Sequence, residues 1–387
     1  PDHPRRAGLS AFGFGGSNYH CILEESEPAM KQPDWDGEHQ ILAFSDRDSH
    51  ALADQLQRWT PPRNWNELRD VADELRRRFR SNANARITLV VRPDDIDSTL
   101  QAARDRLVGE ERADQARLRS VPGAADIYLG EGPPPGTLAF VFPGQGSQSI
   151  GMLRDLICRF PIAFEAFDAL GRLEDSAHRH LSEWIYPVNE FSTTAASRQT
   201  QELRATEIAQ PAIGAVSWAA YRLLRGFGIE PECVAGHSFG ELTALAAAGV
   251  YSEAALAKLA RARGRLMASC RGDRGGMLAV FASEDQIETL IVARSLDVTL
   301  ANKNSKNQVV VSGPTQELIR LMEFCQEAGI ATKLLDVSAA FHSSFVAEVE
   351  APFRSILQSV EWKAPAVPVF ANSTGARYPQ DRDAARD

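Results

Sequence analysis

Gly236-His237-Ser238-Phe239-Gly240 constrains this chain more than any other stretch of it. The apolar run Glu232-Cys233-Val234-Ala235 ahead of it predicts a short buried strand. Glu241-Leu242-Thr243-Ala244-Leu245-Ala246-Ala247-Ala248 behind it predicts a helix. A serine between the two sits on a tight, strained strand-to-helix turn with its hydroxyl exposed. The flanking glycines are needed because a side chain at either place would collide as strand and helix close on each other. The helix start then aims free N–H groups and the positive end of its dipole at developing negative charge. Such a turn needs an α/β fold to carry it, and it supplies the means for acyl transfer through a serine ester. The bland alternative is a Gly-rich turn, and the flanking strand and helix weigh against it.

A serine nucleophile needs a base. Of the eight histidines, His342 is the best placed. It follows a strand and the short loop Ser338-Ala339-Ala340-Phe341, downstream of the serine as in hydrolase-type sheets. His237 adjoins the serine, but neighbours on a sharp turn diverge, so it reads as a pocket wall or a satisfied buried histidine. His178 and His180 are two apart, the wrong spacing to share a helix face, and read as surface residues. Asp297 and Asp336 could orient the base. Neither sits in a recognisable acid loop, which favours a Ser-His dyad.

An oxyanion needs two donors. Phe239 N–H follows the nucleophile and supplies one. The other is expected from Pro143-Gly144-Gln145-Gly146-Ser147-Gln148, directly after the first core strand. That loop lacks the Lys-Ser/Thr of a phosphate loop, so a nucleotide reading is set aside. In Arg261-Ala262-Arg263-Gly264-Arg265 three arginines alternate. A solvated helix face is the ordinary reading of each, whereas an inward Arg263 would bind a carboxylate bidentately.

The 387 residues leave room for two or three domains. A net charge of −9 argues against nucleic acid or an anionic membrane as the main partner. No run is long enough to span a membrane, and no signal segment opens the chain. The five cysteines are widely spaced without a C-x-x-C, and read as free thiols of a cytoplasmic protein, not as a disulfide framework or a metal site. Both ends look cut from something longer. Residues 1–25 are a Gly-rich island too short for its own core. Residues 26–135 hold a linker and a small α/β unit, with helices at 49–59, 65–79 and 98–118, the last with Ser98 as N-cap. Residues 136–270 and 334–387 alternate strands and helices, one of them over 151–171, as in a parallel α/β core. Residues 271–333 run β-α-β-β-α-β, the order of a ferredoxin-like subdomain.

Five motifs in order carry a resemblance: Gly144-Gln145-Gly146-Ser147-Gln148, Gly236-His237-Ser238-Phe239-Gly240-Glu241, Arg263-Gly264-Arg265-Leu266-Met267, Asn304-Ser305 with Val311-Ser312-Gly313-Pro314, and Phe341-His342-Ser343-Ser344. Residues 137–378 resemble malonyl-CoA:acyl-carrier-protein transacylases, including the acyltransferase domains of type I polyketide synthases. Residues 5–25 look like the end of a ketosynthase, and 40–130 like the linker between ketosynthase and acyltransferase. The Gly-His-Ser-Phe-Gly-Glu elbow is similar to that of iterative, enediyne-type synthases. The resemblance implies an α/β-hydrolase-like core and a ping-pong reaction. Ser238 and His342 are its catalytic pair, the N–H groups of Gln145 and Phe239 its oxyanion hole, and Arg263 the partner of the malonyl carboxylate. His237, Asn304 and Phe341 complete the substrate site. Malonyl-CoA is the donor, and the phosphopantetheine of a carrier protein is the acceptor. A ketosynthase is the neighbour, and no metal or cofactor is bound. Ala339 stands where relatives often have histidine, and a late segment that orients the histidine is not reached. Phe341 and Phe239 together suggest an aromatic wall that favours malonyl over methylmalonyl. The alternatives are a serine hydrolase or thioesterase, or a non-catalytic scaffold.

Overall fold

The computed structural model describes residues 6–12, 18–24, 38–108, 119–121, 124–133, 136–172, 180–188, 192–269, 275–335 and 348–381. The chain divides into two units, Pro1–Gly136 and Thr137–Asp387.

In the first unit, β1 (Arg6–Phe12) and β2 (Asn18–Glu24) form an antiparallel ribbon in which every residue is exposed. Two strands alone have no second layer to bury a face against. The rest of the unit builds its own core. Strands β3 (Gln40–Asp46), β4 (Ala85–Val91), β5 (Arg119–Val121) and β6 (Ala124–Glu131) form an antiparallel sheet in the order β3-β4-β6-β5. Leu42, Phe44, Ile87 and Leu89 from the sheet meet Leu52, Leu56 and Leu100 from helices Ser49–Arg58 and Ile96–Val108. Ser98 does not cap the last of these helices. The helix begins two residues earlier, and the Ser98 hydroxyl donates back to Asp95 O at 2.8 Å.

The second unit opens with β7 (Ala139–Phe142), which pairs in parallel with β8 (Cys233–Gly236). The helix expected over 151–171 is two helices, Arg154–Arg159 and Pro161–Gly171. Pro161 has no N–H to continue the first, and its fixed φ suits the first turn of a new one. The long helix Thr206–Gly226 is buried along most of its length, and Ala212, Ile213, Val216 and Ala219 join Val234 and Phe142 in the main core. Phe140 and Phe142 set their ring edges against Tyr221, whose hydroxyl donates to Ala247 O at 2.7 Å. That contact ties the sheet, the long helix and the helix behind Ser238 together.

The chain then builds a second sheet from β9 (Gly276–Val280), β10 (Thr299–Ser305), β11 (Gln308–Gly313) and β12 (Thr332–Leu335), before β13 (Val369–Phe370) returns in parallel to β8. The parallel sheet is ordered β13-β8-β7. The second sheet is antiparallel, ordered β10-β11-β9-β12, with helices Glu284–Ala293 and Thr315–Glu327 in the two crossovers. Its last strand corrects one boundary. Leu334 and Leu335 pair with Leu278 and Met277, so the small sheet extends past residue 333. No helix among the described residues is long and apolar enough to cross a membrane.

Candidate active site

The turn between β8 and the helix Gly240–Ala247 is closed by backbone contact. A Cβ at Gly236 would lie 2.0 Å from the Gly240 carbonyl carbon, and one at Gly240 would lie 2.1 Å from Phe142 O. Only glycine permits this approach. Ser238 is left with φ of 52°, left-handed and unusual for a residue with a side chain. Such strain costs roughly 1–3 kcal/mol and persists where surroundings hold it. Here His237 N–H donates to Phe142 O at 2.9 Å, and Gly240 N–H donates to His237 O at 2.9 Å. Asn372 adds a side-chain clip. Its Nδ2 donates to Gly236 O at 2.6 Å and its Oδ1 accepts from Ser238 N–H at 3.2 Å. Its own N–H and the Tyr378 hydroxyl both donate to Glu241 Oε1, at 3.0 and 2.8 Å.

Ser238 opens on a cleft of about 1060 Å³, whose wall includes His237, Glu241, Arg263, Asn304 and Asn372. His237 is exposed and forms part of this wall, with Nε2 3.0 Å from Asn304 Oδ1. The backbone N–H groups of Gln145 and Phe239 have no acceptor among the described residues. Gln145 directs its side chain elsewhere, to the Thr206 hydroxyl, which donates to its Oε1 at 2.8 Å.

Arg263 turns inward on the helix Glu253–Ser269, while Arg261 reaches outward to Arg172 O at 2.8 Å. Residues two apart on a helix point to different faces, which separates Arg263 from Arg261 and Arg265. Arg263 Nη1 donates to Gln210 Oε1 at 2.7 Å. Among the described residues it forms no salt bridge, though Glu241 acts on it electrostatically. Burial brings its pKa down to about 10, against the attraction of Glu241. The guanidinium therefore stays charged at neutral pH.

Several expected residues sit differently. The Phe239 ring is fully buried in the main core against Gly214 and is absent from the cleft wall, so it provides no aromatic wall beside a substrate. His180 is not a surface residue. Its ring packs on Gly171 and Phe167, with Nδ1 2.9 Å from the Ser182 hydroxyl. Asp297 lies exposed just before β10 and is not part of the cleft wall. His342, Phe341 and Asp336 lie outside the described residues. Sequence reasoning missed Gln210 and Asn372. A polar residue inside the apolar run Ile208-Ala209-Gln210-Pro211-Ala212-Ile213 was a usable signal for the first; nothing local marks the second. No group of three His, Cys, Asp or Glu side chains among the described residues is placed to hold a metal ion.

An acyl transferase domain model matches residues 139–384. The chain belongs to this family. A ketoacyl-synthetase C-terminal extension model matches residues 1–88 of the same chain. Among curated relatives, the spectinabilin polyketide synthase system protein NorB of Streptomyces orinoci is 36% identical over 96% of the chain. A phenolphthiocerol synthesis polyketide synthase, Pks15/1 of Mycobacterium marinum, is 33% identical over 96%. The chain spans only 16% and 17% of their respective lengths. Among solved structures, the acyltransferase domain from the second module of the salinomycin polyketide synthase is 32% identical with a TM-score of 0.63, over 89% of this chain and 75% of that one. The acyltransferase domain of an iterative enediyne polyketide synthase is 27% identical at 0.63, over 90% and 78%. Malonyl CoA-acyl carrier protein transacylase of Burkholderia pseudomallei is 32% identical at 0.56, over 65% and 82%. The acyltransferase is thus of the kind found in type I polyketide synthases, and it is joined to a ketosynthase C-terminal extension.

Proposed function

We propose that this acyltransferase loads malonyl from malonyl-CoA onto Ser238 and passes it to the phosphopantetheine thiol of an acyl carrier protein. One observation carries the reading. Arg263 is a charged guanidinium with no salt bridge among the described residues, and it opens on the same cleft as Ser238. A desolvated cation is stabilised by an anion that reaches it with matching geometry. A malonyl group carries a carboxylate at one end and a thioester carbonyl at the other, and so spans the two residues.

In the first half-reaction His342 takes the Ser238 proton as the oxygen attacks the thioester carbonyl. The negative charge on the carbonyl oxygen is met by the N–H groups of Gln145 and Phe239, whose lack of other acceptors supports this role. The carbon–sulfur bond breaks, CoA leaves as its thiol with the proton from His342, and a malonyl ester remains on Ser238. In the second half-reaction the carrier thiol attacks the ester, and Ser238 regains its proton. Thioester-to-ester exchange is redox-neutral, so the reading calls for no cofactor on this chain. His237 and Asn304, joined across the cleft wall, border the acyl site. A ketosynthase in the same polypeptide is the natural neighbour, given the extension matched at residues 1–88.

The test is intact-protein mass spectrometry after exposure to a panel of acyl-CoA esters. We expect a malonyl adduct that persists without acceptor and clears when a phosphopantetheinylated carrier protein is added. Rapid loss to water without carrier would make the enzyme a hydrolase. No adduct from any ester would leave it a scaffold.

A further inference from the structure

We propose that Gln210 is the positioning residue that makes this site select acyl groups with a free carboxylate. The inference rests on the reading of Arg263 as the carboxylate binder. Gln210 is fully buried, and both ends of its amide are engaged. Oε1 accepts from Arg263 Nη1 at 2.7 Å. Nε2 donates to the Thr206 hydroxyl at 2.9 Å and faces Met267 Sδ at 3.2 Å. The Thr206 hydroxyl donates onward to Gln145 Oε1 at 2.8 Å. Because Thr206 accepts on one side and donates on the other, the chain of donors runs one way and fixes which end of the amide faces the arginine.

The helix contact beneath makes this reach possible. A Cβ on Gly264 would lie 2.9 Å from Thr206 O and 3.0 Å from Glu207 Cα. The helices Thr206–Gly226 and Glu253–Ser269 therefore meet at backbone distance beside Arg263.

The chemistry of the acceptor matters as much as its place. An amide oxygen holds a guanidinium by a charge-assisted hydrogen bond and leaves its charge intact. A carboxylate would hold it as firmly and cancel that charge. With a neutral anchor, the positive charge of Arg263 remains available to whatever enters the cleft, and the remaining donors of its planar fork are held in one orientation. Gln210 also joins Arg263 to the Gln145 loop, so the residue that reads the far end of the acyl group and the loop beside its carbonyl share one buried network.

The decisive variant is Gln210→Glu, which keeps the shape and adds the cancelling charge. Loading from malonyl-CoA and from acetyl-CoA is measured separately as kcat/KM for acyl-enzyme formation on the full chain. The malonyl-to-acetyl ratio should fall by about tenfold to a hundredfold, the scale of one charge-assisted contact, with the loss in the malonyl-CoA KM. Acetyl loading should fall less than malonyl loading. Gln210→Met, which removes the acceptor without adding charge, should lower the ratio less and serves if the glutamate variant does not fold. An unchanged ratio in a folded Gln210 variant, or equal losses for both esters, would overturn the proposal and leave Gln210 a packing residue. Arg263→Ala runs in parallel. If it lowers the ratio while the Gln210 variants do not, only this inference fails; if it does not, the reading of Arg263 fails as well.

Discussion

Ser238 and Arg263 open on one cleft but are held there by different means. The serine is placed mainly by backbone, with one side-chain clip from Asn372. Two glycines allow β8, the turn and the following helix to touch, and peptide hydrogen bonds to Phe142 and His237 lock the strained φ. The arginine is placed by side chains drawn from positions 145, 206, 210 and 263, on three separate segments. Backbone placement tolerates almost no change, because a peptide cannot rotate away from an added methyl group. Side-chain placement is graded, because each member of the network can be altered while the fold stands. On the proposed function, the reaction centre is thus rigid and the selectivity centre adjustable.

The largest effect should come from the backbone side of this contrast. Gly240→Ala puts a methyl 2.1 Å from Phe142 O. Overpacking against backbone costs on the order of 1–3 kcal/mol or more. We expect a clear fall in melting temperature by circular dichroism together with loss of acyl loading. A variant that melts and loads normally would show that the elbow is not locked by this contact. His342→Ala should slow malonyl loading by roughly 10²–10⁴-fold, the usual worth of general-base help, with melting unchanged. A near-normal rate in stopped-flow or quench measurements would place the base elsewhere.

On the side-chain side, Arg263→Ala should cost malonyl loading about 2–5 kcal/mol, as for one partner of a desolvated charge pair. Acetyl loading should be nearly spared. The same contrast has a pH signature. The guanidinium is charged below its pKa of about 10, so the malonyl preference should hold through neutral pH and fall as pH rises through that value. A ratio that falls between about pH 7 and 9, where the guanidinium stays charged, would detach the preference from Arg263. The smallest effect concerns size. Phe341→Ser should ease entry of methylmalonyl relative to malonyl by about 1–3 kcal/mol, the worth of one methylene in a snug pocket. Competition between the two esters, read as the ratio of loaded masses, checks it. Since the Phe239 ring lies in the core, Phe341 carries this expectation alone.

The same division explains what could be read from the sequence. The elbow was legible because backbone constraints leave local marks: glycines at fixed offsets, an apolar run before and a helix-forming run after. The β-α-β-β-α-β order of the small sheet was legible for the same reason, since its elements carry their own periods, and Ser283 caps one helix with Gln286. The Arg263 network was not. Thr206 and Gln210 are one helical turn apart, but only packing of their helix against Glu253–Ser269 and the loop bearing Gln145 joins them to Arg263 and Gln145, and nothing in their neighbourhoods names those partners. Asn372 lies 134 residues from the Ser238 N–H it holds. The buried Phe239 ring misled for a related reason. Its aromatic bulk within the elbow motif suggested a wall beside the substrate, but the ring packs into the core against Gly214.

The account stands on Ser238 as the atom that receives the acyl group. The most direct test is intact-protein mass spectrometry of the wild type and Ser238→Ala after identical exposure to malonyl-CoA. The account predicts one malonyl group on the wild type, localised by peptide mapping to the segment bearing Ser238, and none on a folded Ser238→Ala variant. A malonyl group retained by that variant, or mapped to another residue in the wild type, would contradict it.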